Sequence, residues 1–162
     1  MSYFKSTITI LVILSASRLI PHPPNFTPLI ALSLYVPIIF GRKFIPAILI
    51  SYFFTDLILG LHSLLFFTYS SVTIFGLISI YFANKFIKRL GGAIFCVFLF
   101  YLITNFGVWI KGFYGYDLNG LINCYILAIP FMWQSLFSTL IYSLLIEALI
   151  KTTNNFKSKL II

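Results

Sequence analysis

The sequence predicts an all-α protein: a polytopic membrane bundle of six transmembrane helices, with both termini in the cytoplasm. Three observations carry this. Of 162 residues, 60% are hydrophobic and only 9% charged, and the mean hydropathy is +1.05. A soluble domain of this length carries about a quarter charged residues, so this chain lacks the surface to be soluble. The apolar residues fall in six long segments, and the basic residues sit in the breaks between them. The length suits a single domain over residues 1–162 and leaves no room for a separate soluble catalytic domain.

The segments run over about residues 4–20, 28–40, 44–60, 64–84, 92–110 and 121–150. Pro21, Pro23 and Pro24 end the first and stiffen the loop after it. Thr27 before Pro28 reads as an N-cap followed by proline at the first helical position. Gly41-Arg42-Lys43 is a short charged turn, and Lys85, Lys88, Arg89, Gly91 and Gly92 make another break. Gly115 to Gly120, with Asp117 and Asn119, reads as a turn-rich loop, and the sixth segment contains Pro130.

Segment two is short: its residues span about 20 Å, against a bilayer core of about 30 Å. It is either a re-entrant hairpin or a true span, and charge decides for the span. With six crossings, Lys5, Arg42/Lys43, Lys85/Lys88/Arg89 and Lys151/Lys157/Lys159 share one side, and only Lys111 lies opposite. With five, Lys5 is separated from every later cluster. The six-span arrangement satisfies the positive-inside rule and puts both termini in the cytoplasm; the inner (plasma) membrane is the expected location. Lys5, the apolar run 8–14 and Ser15-Ala16-Ser17 resemble a signal peptide, but a retained first helix is what makes the charges consistent.

The net charge of +8 is spread singly or in short clusters between apolar runs, a topogenic pattern and not a nucleic-acid-binding face. The lipid bilayer is the expected partner. Cys96 and Cys124 lie within apolar runs without CxxC spacing and read as small buried residues. The chain has no G-x-S-x-G, H-E-x-x-H, Walker A or Rossmann glycine pattern, and no enzyme activity or cofactor is expected. His22 and His62 lie in separate loops, too little for a metal site beside Asp56.

Ionisable groups inside a membrane are costly and by default mark a functional site. Oriented as above, Arg18, His22, Asn25, Asp56, His62, Asn105, Trp109 and Lys111 all fall towards the extracytoplasmic end, with Gln134 near mid-depth and Glu147 near the cytoplasmic end. Ser15, Arg18 and His22 share one helix face, as do Tyr101, Asn105 and Trp109, and Asn123, Leu127, Phe131 and Gln134. Such stripes can line one cavity opening outward. Arg18 and Asp56 fall at similar depth, where they either pair structurally or meet a ligand. Asn105 and Gln134 are either ligand contacts or interhelical hydrogen bonds.

The run Ala16-Ser17-Arg18-Leu19-Ile20-Pro21-His22-Pro23-Pro24-Asn25-Phe26-Thr27-Pro28 resembles the opening of a family of small uncharacterised bacterial six-helix membrane proteins. Asp56, Thr104-Asn105-Phe106-Gly107-Val108-Trp109, Cys124-Tyr125 and Ile129-Pro130-Phe131 extend that resemblance over nearly the whole chain. The family is in turn similar to the substrate-binding S components of energy-coupling factor (ECF) transporters. That likeness implies six helices, a nutrient cavity near the outer face, the Pro21–Pro28 loop as its gate, and a separate transmembrane coupling protein with ATPases. The segment 6–14 departs from the pattern, since it lacks the A-x-x-x-A face with which many S components dock that partner.

The expected function is therefore capture of a small polar or anionic nutrient as small-molecule ligand. Arg18 would anchor the anion, His22, Asn25, Asp56, Asn105 and Gln134 would supply polar contacts, and Trp109 a stacking wall. A non-catalytic scaffold of envelope assembly, or a proton-coupled carrier centred on Asp56, are the alternatives.

Overall fold

Six α-helices follow one another as the apolar segments predict, in a computed structural model that describes residues 3–159, with side chains over 7–152. They are α1 (Tyr3–Leu19), α2 (Leu29–Phe40), α3 (Ile45–Leu59), α4 (Leu65–Ile78), α5 (Phe86–Ile110) and α6 (Leu118–Lys159). Short 3₁₀ turns at Arg42–Phe44 and Ser79–Phe82 lead into α3 and out of α4, and no strand occurs among the described residues. The side chains of Lys5, Ser6, Lys157 and Lys159, which entered the topology and docking arguments, lie outside the described residues.

Four boundaries differ from expectation. α4 gives way to a 3₁₀ turn after Ile78, short of residue 84, and α6 runs on to Lys159, past residue 150. α5 begins at Phe86, so the predicted break at Lys88, Arg89, Gly91 and Gly92 is helical. Lys85 caps it in an extended conformation, and its carbonyl accepts the Arg89 N–H at 3.0 Å. α6 begins at Leu118 because Asp117, read as loop, is its N-cap: the carboxylate accepts the Gly120 N–H at 2.7 Å. Thr27 does not cap α2. Pro28 occupies that position, and no side chain closes the helix N-terminus.

α2, the segment too short to span comfortably, is the central helix. It packs against α3, α4, α5 and α6, and Leu29, Ile30, Ala31, Ser33, Leu34, Tyr35, Val36 and Pro37 are all buried. Enclosed on its faces by protein, a helix of about 18 Å has no need to match the bilayer thickness. Around it the core has two parts. Ile10, Leu14, Leu29, Val36, Ala47, Ile48 and Val72 join α1 to α4, and Ile30, Leu34, Phe75, Ala93, Cys96 and Val97 join α2, α4 and α5.

α4 and α5 form an antiparallel pair in a clear register. Phe82 covers Gly92, the Phe75 and Phe100 rings lie 6.4 Å apart, and Phe67 covers Gly107. A Cβ at either glycine would collide with the phenylalanine ring opposite, so the helix pair depends on both.

The outer faces carry large apolar side chains, among them Phe66, Ile87, Leu118 and Leu149. Three helices are long and apolar enough to cross a membrane: Leu65–Phe82, Phe86–Ile110 and Leu118–Thr152. Thr7–Leu19 and Leu29–Phe40 are shorter apolar helices. Apolar outer faces with the backbone satisfied inside helices are what a bilayer requires of a protein.

Candidate functional site

With the α1–α2, α3–α4 and α5–α6 connections drawn upward, a cavity of about 350 Å³ opens in the upper half of the bundle. Arg18, Asn25, His62, Thr68, Asn105 and Ser135 give it polar walls, and Tyr52, Phe100, Tyr101, Phe131 and Met132 supply aromatic and apolar ones. A second cavity of about 190 Å³ shares Arg18, Asn25, Tyr52, Phe100 and Ser135 with the first and adds His22, Thr27, Leu29 and Ile30. The uncapped N-terminus of α2 therefore faces the smaller cavity, with its free backbone N–H groups and the positive end of the helix dipole.

Arg18 is the most constrained of these groups. Its Nη1 lies 2.7 Å from Asp56 Oδ1. The same nitrogen donates to the Tyr52 carbonyl at 3.1 Å and to the Thr55 hydroxyl. The guanidinium carbon sits 3.9 Å from the centre of the Tyr52 ring. Asp56 is fully buried, and its Oδ2 accepts the Tyr69 hydroxyl at 2.8 Å. The sequence left open whether Arg18 and Asp56 pair or meet a ligand. In the structure they pair, and Arg18 also lines both cavities. All of these bonds leave from Nη1; Nε and Nη2 make none of them.

The other expected residues divide. Asn25 and Asn105 line the larger cavity and His22 the smaller. Asn25 adopts φ 59 in the loop after α1, and Ser138 Oγ reaches the Asn25 and Thr27 carbonyls at 3.4 and 3.3 Å, fastening that loop to α6. Asp56 stands behind Arg18 and lines neither cavity. Trp109 is turned to the α5–α6 connection, where its Nε1 donates to the Asp117 carbonyl at 3.2 Å. Gln134 lines neither cavity, and its Oε1 is buried without a hydrogen-bond partner. The face of α6 that the cavity uses is Ala128, Phe131, Met132 and Ser135. It shares Phe131 with the expected stripe through Asn123, Leu127, Phe131 and Gln134, but its centre is rotated by about one residue, roughly 100°.

Sequence reasoning missed Tyr52, Tyr69, Thr68 and Ser135. These types are common on any apolar helix, and only their convergence singles them out. It also missed a second charged pair at the lower end. Arg89 Nε and Nη2 bind the Glu147 carboxylate at 2.5 and 2.7 Å, and Arg89 Nη1 donates to the Ala83 carbonyl at 3.0 Å. The costly groups are thus divided between the two ends of the bundle and are not gathered at one, because an ion pair can be satisfied wherever two helices present its halves together.

Fold and site together define a small all-helical protein whose apolar helices are compatible with a membrane and which encloses a polar cavity around an oriented arginine. The chain belongs to the family of unknown function DUF6580, whose profile matches residues 2–159. Comparison with curated proteins and with solved structures gives no match.

Proposed function

We propose that this chain crosses the bacterial plasma membrane six times, with both ends cytoplasmic, and captures a small polar or anionic nutrient from the extracytoplasmic side for uptake. The observation that carries the reading is Arg18, tied to Asp56, Thr55 and Tyr52 through Nη1 while it lines both cavities. A guanidinium oriented in advance loses little entropy on binding, and its remaining edge suits a carboxylate or phosphate. Asn25, Asn105 and His22 offer directional hydrogen bonds, and the open N-terminus of α2 favours negative charge. The volume of about 350 Å³ restricts the cargo to small solutes. The loop after α1 supplies Asn25, His22 and Thr27 and is the gate. The resemblance to S components supplies the remaining parts, a transmembrane coupling protein and its ATPases.

The test is a thermal-shift screen of the purified protein against vitamins, amino acids and small carboxylates. Ligand at a hundred times its Kd stabilises the folded state by about 2.7 kcal/mol. Arg18→Lys, which keeps the charge beside Asp56 and loses the planar fork, should weaken that shift. The reading fails if no solute moves the melt, or if Arg18→Lys responds like the parent protein.

A second reading is a membrane scaffold, favoured by the Arg18–Asp56–Tyr69 cluster, which ties α1, α3 and α4 together. It expects the same cluster to matter for stability and no solute to shift the melt.

A further inference from the structure

One face of α6 carries a ladder of oxygen-bearing side chains. Ser135, Thr139, Ser143 and Glu147 recur at every fourth residue, and all four are buried. The top rung, Ser135, lines both cavities. The bottom rung, Glu147, is held by Arg89 of α5. Between them, Thr139 Oγ1 and Ser143 Oγ are buried without a hydrogen-bond partner. Tyr35 of α2 is fully buried, and its hydroxyl lies within reach of Glu147 and Ser143 at the lower end of the ladder.

Two unbonded hydroxyls on consecutive rungs, Thr139 and Ser143, need a physical reason. A buried hydroxyl left dry is destabilising, and elsewhere in this bundle the hydroxyls of Ser33, Ser51, Ser71 and Thr73 satisfy themselves on the carbonyl four residues back. Rungs four residues apart are separated by about 6 Å along the helix. Two hydrogen bonds of about 2.8 Å through a single water cover that distance. The ladder has the spacing of a water file.

We propose that the seam between α2 and α6 is a hydrated proton path joining the upper cavity to Glu147. A hydronium ion in the cavity gives its excess proton to the first bridging water and is left as neutral water. Each water or hydroxyl oxygen in turn gains one O–H bond from above and gives up another below, so every member ends neutral. The last transfer forms an O–H bond on the Glu147 carboxylate. Arg89 and Tyr35 are the charged and titratable groups facing that carboxylate. Protonation weakens its hold on Arg89, and loss of the proton to water at the lower end restores the pair. The path assumes that the bundle spans the membrane, but it does not depend on nutrient capture.

Full-length protein in liposomes, with a potassium diffusion potential set by valinomycin and a pH dye inside, reads the flux directly. Proton entry above that of empty liposomes is expected. Thr139→Val keeps shape but removes the rung, and it should lower the flux by about tenfold or more. Ser143→Ala should do the same and replaces Thr139→Val if that variant does not fold. Flux equal to that of empty liposomes, or unchanged in a folded rung variant, overturns the proposal. The nutrient-dependent melting shift is read on the same variants and should persist in them, so failure of one idea is separable from failure of the other.

Discussion

The Tyr69 hydroxyl bonds the Asp56 carboxylate on the oxygen opposite the one paired with Arg18. Asp56 is thereby held from both sides by α1 and α4 while belonging to α3. A carboxylate so enclosed is tolerable only with its partners in place. Asp56→Ala leaves the largely buried Arg18 charge without its counter-ion and should cost up to about 3–5 kcal/mol. Tyr69→Phe removes one hydrogen bond and should cost about 1–3 kcal/mol. Chemical or thermal melts in detergent measure both. Equal costs would mean that the ion pair contributes no more than the tyrosine.

Gly107 tests the α4–α5 packing. Gly107→Ala puts a methyl group into the Phe67 ring, and overpacking of this kind should cost about 1–3 kcal/mol. Phe67→Leu in the same chain opens the space and should recover part of the loss, so the double variant should melt above Gly107→Ala alone. Additive losses would show that the two side chains do not meet.

Arg89 and Glu147 stand 58 residues apart in the chain and meet as a two-point ion pair between α5 and α6. Glu147→Arg alone sets two cations against each other and should destabilise the bundle by about 3–5 kcal/mol. Adding Arg89→Glu restores opposite charges and should recover a substantial share. The yield of monodisperse protein and the melting temperature of the three variants decide it; a swap no better than the single variant would argue against the contact.

The helices themselves were legible because proline, glycine and charge interrupt the apolar runs close to where the chain turns. What was less legible has one physical origin: an apolar run does not say whether it faces lipid or protein. α2 reads as a marginal span because it is short, whereas in the structure it is the enclosed centre. Depth alone brought Arg18 and Asp56 to one level but left open whether they pair or meet a ligand. Arg89 and Glu147 lie near the same depth too, but their pairing depends on α5 starting six residues earlier than its apolar run. Asp117 with Gly120 three residues on was a readable cap signal. On α6, Gln134 attracts attention as the more polar residue, but a rotation of about 100° gives the cavity to Ser135 instead.

The enclosure of α2 makes the number of crossings the next point to establish, since a buried short helix can either cross or turn back. Single cysteines at His22 and Lys43 separate the two cases. Both positions are exposed, one before α2 and one after it, while the native Cys96 and Cys124 are buried. If α2 crosses, a membrane-impermeant maleimide added to intact cells should label His22→Cys and leave Lys43→Cys until the membrane is opened. Ser63→Cys, in the connection after α3, should behave like His22→Cys. The same labelling side for His22→Cys and Lys43→Cys would make α2 re-entrant and reduce the bundle to five crossings. It would also place Lys5 opposite the later basic clusters, against the charge bias that topology follows in short loops. Labelling on opposite sides places the Arg18 cavity and the Arg89–Glu147 pair towards different compartments, the arrangement that both nutrient capture and proton passage require.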